Sequence, residues 1–478
     1  MWRPTLLLSV GAVVLAACVG DGHRHGRDVV IASGAELEGL NPLVTVHPLA
    51  NELERYVLLT TLARRDSTLA PTPYLAQSWQ WSDERRTLRL LLVHGARWAD
   101  GRATTAGDVV WTLDAARDPA TGYPRGPDLG SVAGVSGPDD STVVVRFRSA
   151  QPTFPDVLTD LAIVPAHLLD TVPRARLREA AWNEHPIGNG PFRFALHEPG
   201  RRWAFVANPA FPPAMGGPPH LDRLVVVVVG EPTTKLAGLV DGELDVAGVL
   251  PAHAAFVRRD PALTLVAYPM LMPYGLVFNL RHPPFRDRRV RLAAALAIDR
   301  EAIVRGYLYG FGTPAWGPVP PGVPGRLASP VPGPDPDSAR RLLDERPVRF
   351  ELLTVGSGDA VLEQLVQADL ARAGFDVRIR ELELSAFLDR VYGPRHDFEA
   401  AVLGIQGDDG LAYLETLAAV SGIETRGVRD LQRLFDDSLP VAFLYYARGV
   451  QGLSRRLRGV RMDLRGELAT VATWDVAP

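Results

Sequence analysis

The sequence predicts an α/β protein of two lobes. A chain of 478 residues is too long for one ordinary hydrophobic core, so two or three domains are expected. Two β-α-β units stand far apart in it. The first is Leu224 to Val229, a leucine followed by five valines, then a helix from Glu231 to about Asp241, then Asp245 to Val249. The second is Phe350 to Thr354, a helix from about Ala360 to Ala373 with Gly374 as its cap, then Asp376 to Arg380. The valine run predicts a strand buried on both faces.

The remaining elements follow in chain order. Arg3 supplies a positive charge, Leu6 to Val14 an apolar run too short to span a bilayer, and Leu15-Ala-Ala-Cys18 a small-residue cleavage site. Residues 1–17 therefore read as an export signal. Cys18, the only cysteine, falls at the cleavage point, so no intrachain disulfide can form. His23 and His25 follow within a stretch to Arg27; the pair lacks the further ligands a metal site needs and reads as a solvated tether.

Asp28 to Ser33 is the first strand expected, followed by the segment Glu36 to Pro42 and a helix from about Leu49 to Leu62. Thr87 to Val93 and Ser141 to Phe147 read as strands. Between them "VHGARWADGRATTAGDVVWTLDAA" (93–116) puts Trp98 and Trp111 either side of an Asp-Gly turn. Thr105 and Asp108 have the spacing of a capping box, with a helix expected from about Asp108 to Ala116. Two tryptophans there serve either core packing or a binding surface. Gly310 to Asp337, dense in Pro and Gly, reads as a long ordered loop over the second lobe, with Asp335-Pro336 opening a helix over Ser338 to Glu345.

Charge and motifs narrow the function. Net charge is −4 with acids and bases interspersed, which argues against a nucleic-acid binder. Lys235 is the single lysine. No phosphate-binding loop, His-Glu-x-x-His, Cys-x-x-Cys or Gly-x-Ser-x-Gly occurs; Gly356-Ser-Gly358 reads as a turn. A carboxylate pair facing across a cleft stays open, so a secreted hydrolase is an alternative.

Several blocks together resemble one family, the solute-binding proteins of ABC importers of the oligopeptide, dipeptide and nickel type (family 5). They are "LAPTPYLAQSWQWSDERRTLRLLLVHGARWADGRATTAGDVVWTL", "HPIGNGPFRFALHEPGRRWAFVANPAF", "HLDRLVVVVVGEPTTKLAGLVDGELDVA", "NLRHPPFRDRRVRLAAALAIDREAIVRGYLYG" and "LPVAFLYY", in family order over most of residues 28 to 478. Leu-Ala-Ala-Cys resembles the bacterial lipobox, which makes Cys18 the lipidation site and the first mature residue. The resemblance implies a two-lobed periplasmic binding protein fold of type II-like form, with hinge and cleft, plus an inserted α+β domain. Lobe I would comprise 28–53, 183–272 and 448–478, the inserted domain 54–182 and lobe III 273–447, after a tether over 18–27. The implied activity is capture of a peptide or similar solute and delivery to the permease subunits, without catalysis, cofactor, metal or nucleic acid, by a monomer anchored to the cell envelope.

Residue by residue, the resemblance implies that Trp111 faces ligand while Trp98 packs beneath the turn. Glu36, Leu37 and Glu38 match a segment running beside the bound peptide, and Gly404, Ile405 and Gln406 the segment opposite. Asp408 aligns with the carboxylate that meets a peptide's α-ammonium. Tyr274 and Tyr446 align near cavity tyrosines, and both read equally as half-buried core residues. The chain departs from the pattern at Ile405, where relatives carry tryptophan, and at Gly410, which follows Asp408-Asp409. The segment 418–425 is some tens of residues shorter than in relatives, which implies a more open or reshaped pocket. A non-peptide ligand (a metal chelate, a sugar) and a degenerate or sensory relative are the alternatives this leaves.

Overall fold

The computed structural model describes residues 26–327, 333–356, 360–404, 412–425 and 430–477. One eleven-stranded mixed sheet runs through both lobes. From the far edge of lobe III its strands run Phe375–Leu382, Val348–Val355, Ala400–Gly404, then the two long strands Leu263–Phe278 and Val441–Ser454. Val246–Gly248, Asp28–Ser33, Arg223–Val228, Arg202–Ala207 and Phe192–Glu198 continue it through lobe I, and Gly312–Pro314 adds to Val441–Ser454 from the side.

Both β-α-β units form. In the first, helix Pro232–Val240 is capped by the Glu231 carboxylate, which accepts from Thr234 N–H at 2.8 Å, and ends at Gly242 with φ +71°. Its two strands are not neighbours, because Asp28–Ser33 inserts between them, parallel to both. The valine run alternates instead of burying both faces. Leu224 and Val226 are enclosed by the main core, whereas Val227 and Val229 are only half covered on the other side. In the second unit Val348–Val355 pairs in parallel with Phe375–Leu382 around helix Val361–Arg372, and Gly374 takes φ +98°. Gly310 to Asp337 packs on lobe III where it is described: the Tyr413 hydroxyl donates to Pro318 O at 2.6 Å and buried Arg300 to Ala315 O at 2.9 Å.

The two long strands cross between the lobes side by side. Their register slips where they do so, Pro269 facing Arg448 but Pro273 facing Tyr446, so Leu263–Phe278 carries two extra residues there. Such a bulge bends a strand and sharpens its twist.

The inserted domain is a four-stranded antiparallel sheet, in order Ala76–Ser82, Thr87–Leu92, Thr142–Phe147 and Val132–Asp139, covered by helix Ala106–Arg117. Asp108 organises the turn that precedes this helix. Its carboxylate accepts from Thr105 N–H (2.9 Å), from Trp98 Nε1–H (3.3 Å) and from Ala166 N–H (3.0 Å). One hydrophobic core continues from this domain into lobe I, from Val29 and Ile31 through Trp98 to Trp474, while lobe III has separate cores.

The helix expected over 49 to 62 is shorter than the sequence suggests. Pro48–Leu53 is α-helical, Glu54–Leu58 widens into a π-turn, and the chain is extended from Leu59. The glycine-rich block explains the arrest. Gly190 N–H donates to Leu58 O at 2.8 Å, and a Cβ on Gly188 would lie 2.0 Å from that same oxygen. Among the described residues no helix is long and apolar enough to cross a membrane.

Candidate functional site

The C-terminal ends of Asp28–Ser33 and Arg223–Val228 point along the sheet towards lobe III. Three cavities open in this region. The first, about 340 Å³, lies where the long strands cross: Tyr268 to Met272 form one wall, Pro42 to Arg55 a second, and Asp463 to Gly466 a third, with Tyr123, Arg125 and Asp160 entering from the inserted domain. A second, about 300 Å³, lies between the inserted domain and Glu415 and Leu431 of lobe III. Arg125 lines both, which places it between the lobes.

The charges of the first cavity fall into two groups. Asp160 is held by Arg125 Nη1 at 2.7 Å and Arg55 Nη1 at 3.2 Å. Burial works to raise its carboxyl, but Arg55, Arg125 and Arg65 outweigh it and keep the pKa below the ordinary range. Asp463 is bound to Arg465 at 2.7 Å. Glu52 and Glu54 form the other group. Glu54 is 1% exposed and its Oε1 has no hydrogen-bond partner. Burial drives its pKa well up, against the Thr45 hydroxyl and Arg55. Glu52 is likewise raised by burial and then by Glu467, its neighbour from the C-terminal loop, which burial raises in turn.

The third cavity, about 480 Å³, is lined by Glu36 and Glu38 with Glu184, His185 and His197. Glu36 accepts from Gly200 N–H (2.6 Å), Leu37 N–H (3.0 Å) and Trp203 Nε1–H (3.1 Å). Burial opposes ionisation, but these donors together with His197 hold its carboxyl low. Leu37 is fully buried in the main core and turns away from solvent.

The other residues singled out in the sequence are dispersed. Trp98 is buried; Trp111 is half-buried, packs against the main core and carries the Arg174 guanidinium 3.9 Å above its ring. Tyr274 and Gly404 are register partners, and the Tyr274 ring lies where a Cβ on Gly404 would be (2.4 Å) while stacking on Tyr445 at 4.7 Å. Tyr446 is buried, its hydroxyl against the carbonyls of Gly317 and Val319, the latter at 2.9 Å. Cys18, His23, His25, Ile405, Gln406 and Asp408 lie outside the described residues. Among the described residues, those singled out do not line the cavity at the crossing. Sequence reasoning missed Glu52, Glu54, Arg125 and Asp160. The available signal was Glu54 itself, which interrupts the apolar stripe Ala50, Leu53, Val57 and Leu58 of its helix.

Comparison with known proteins agrees with this architecture. Residues 70–424 match the family described as bacterial extracellular solute-binding proteins, family 5 Middle. A Brucella ovis protein named for ABC-transporter peptide binding is 30% identical over 350 residues, covering 70% of this chain and 65% of that protein. The oligopeptide-binding protein AppA of Bacillus subtilis is 25% identical over 536 aligned residues, covering 98% of both chains. Its structure in complex with a nonapeptide superposes with a TM-score of 0.77 at 24% identity, over 94% of this chain and 99% of that one. NikZ of Campylobacter jejuni in complex with Ni(L-His) gives 0.77 at 20% identity, over 94% and 100%. A two-lobed mixed sheet crossed by paired strands, matched by this family over most of its length, makes the chain a member of the bacterial extracellular solute-binding proteins, family 5.

Proposed function

We propose that this chain is the receptor of an ABC importer that captures a peptide between lobe I and lobe III and delivers it to the permease. The observation that carries this reading is the cavity at the strand crossing. It is walled by lobe I, the inserted domain and the crossing itself, and Arg125 on its wall also lines the cavity that reaches Glu415 and Leu431 of lobe III. A ligand that spans the two cavities touches the inserted domain and lobe III together, so its binding energy favours closure. The receptor performs no chemistry; its affinity comes from enclosure. The lobe boundaries would fall at about residues 272 and 447, next to the register slip. The backbone of Glu36, Leu37 and Glu38 would flank the ligand from lobe I, Tyr274 with Gly404, Ile405, Gln406 and Asp408 from lobe III, and Trp111 and Tyr446 would shape the walls. A lipid on Cys18 would hold the monomer at the envelope, within reach of the permease.

Native mass spectrometry of chain purified without denaturation tests the reading. A ladder of co-purifying peptide masses is expected. A single non-peptide mass, with no binding of added tripeptides, refutes peptide capture.

A further inference from the structure

The cavity at the strand crossing contains an acidic face on which one buried carboxyl oxygen, Glu54 Oε1, has no hydrogen-bond partner. Glu54 is enclosed, lines the cavity and keeps Oε1 free of any hydrogen bond. It opens the π-turn Glu54–Leu58, a local widening that recurs where a helix serves a site. Glu52 lines the same wall, its Oε2 accepting from Leu468 N–H at 2.8 Å. The other acids here are already matched by arginines, Asp160 by Arg55 and Arg125, and Asp463 by Arg465. A buried carboxyl with one oxygen unmatched costs stability unless something supplies a donor.

We infer that this cavity is a subsite for a cationic group bearing N–H donors, an alkylammonium or guanidinium carried by the solute, with Glu54 as its direct partner and Glu52 beside it. The inference rests on the solute-receptor reading above and names the class of solute. The groups facing the two carboxyls are Arg55 on the same turn and Tyr268 from the crossing strand. Arg465 and Asp463 face them from the C-terminal loop, and Arg125 and Asp160 from the inserted domain. Glu467 stands behind Glu52, with Lys235 acting on Glu467. A cation entering this set offsets the burial that raises the Glu54 carboxyl, so binding favours its ionised form and affinity rises with pH.

Calorimetric titration of the purified chain with trilysine and with trialanine tests this. Trilysine is expected to bind about tenfold more tightly, a difference typical of one charge-assisted hydrogen bond. Glu54→Gln, close in shape to the protonated acid, should remove that difference, leave trialanine unchanged and flatten the pH dependence. Glu52→Gln should give a smaller loss in the same direction. Trialanine binding with no preference for trilysine, or an equal loss of both in Glu54→Gln, overturns the cationic subsite and leaves the receptor reading standing. Binding of neither peptide overturns both.

Discussion

Replacing Asp160 by asparagine tests the charge arrangement of the cleft most directly. The side chain is 6% exposed and accepts from arginines that are themselves 20% and 22% exposed. Removing one partner of a buried ion pair costs about 3–5 kcal/mol, because it strands the other charge. Here two guanidiniums lose their anion, but both keep some water and Arg125 retains Asp128 at 2.8 Å, which brings the expected loss to about 2–3 kcal/mol. With a urea dependence of about 3 kcal/mol per molar, the unfolding midpoint should fall by roughly 0.7–1 M. Tryptophan fluorescence reports it, since Trp79, Trp81, Trp98 and Trp111 all lie in the unit that holds the bridge. The pH dependence adds a second criterion. The arginines hold the Asp160 carboxyl below its ordinary 3.8, so its stabilisation is complete above that value and is lost as pH falls through the lowered one. The gap between wild type and variant should stay constant from neutral pH down to about 5 and close in stronger acid. An unchanged midpoint, or a gap that persists at the acid end, refutes the assignment of Asp160 as the anion that neutralises this wall.

Two further perturbations follow. Glu52 and Glu467 are raised from 4.5 to about 8 and about 7, so their contribution is full below the ordinary carboxylate range and is lost as pH rises through those values. Thermal melts from pH 5 to 9 should show wild type losing stability relative to Glu52→Gln; parallel curves would show that the pair is not coupled through burial. Gly190→Ala would drive a Cβ to 2.5 Å from the Val57 carbonyl and should cost about 3 kcal/mol or more, read by chemical denaturation. A shift under 1 kcal/mol would mean that the π-turn can move and is not pinned by the glycine block.

The elements with strong local signals were legible in the sequence. Both β-α-β units, the Asp108 helix and the turns at Gly242 and Gly374 follow from periodicity, capping acids and glycines that accept positive φ. What the sequence hides depends on partners far along the chain. The insertion of Asp28–Ser33 between the two strands of the first unit is a pairing choice, invisible in either segment. The two-residue slip at Pro269 to Pro273 arises from the register of Leu263–Phe278 against Val441–Ser454, more than 170 residues apart by the numbering of the pairs. The site shows the same division. Glu36 and Glu38 were reachable through a family resemblance to a segment, and both line a cavity at the cleft edge. Glu52, Glu54, Arg125 and Asp160 are brought together by docking of the inserted domain, the C-terminal loop and the crossing strands, with no short motif to announce them.

The cores suggest which parts move together. A single apolar core joins lobe I to the inserted domain, with Trp98 and Trp182 on one side and Phe192 and Trp474 on the other, and separating them would break that continuous cluster. At roughly 1.5–3 kcal/mol for each large side chain brought to water, that motion is closed to thermal fluctuation. Lobe III has two cores of its own and joins the rest through the two long strands, whose register slips at the crossing, and through Phe311, which packs in a lobe I cluster. Bending there leaves the large cores on either side intact; the apolar contact it must shift is that of Phe311 with Ala32, Leu239 and Val450. The wall formed by Tyr268 to Met272 belongs to that bend, and the walls that carry Glu54 and Asp160 belong to the body on one side of it. On the proposed reading, a solute seated in the cavity rests against the bend itself, so the geometry proposed to recognise its charge is also the geometry that would change as lobe III closes.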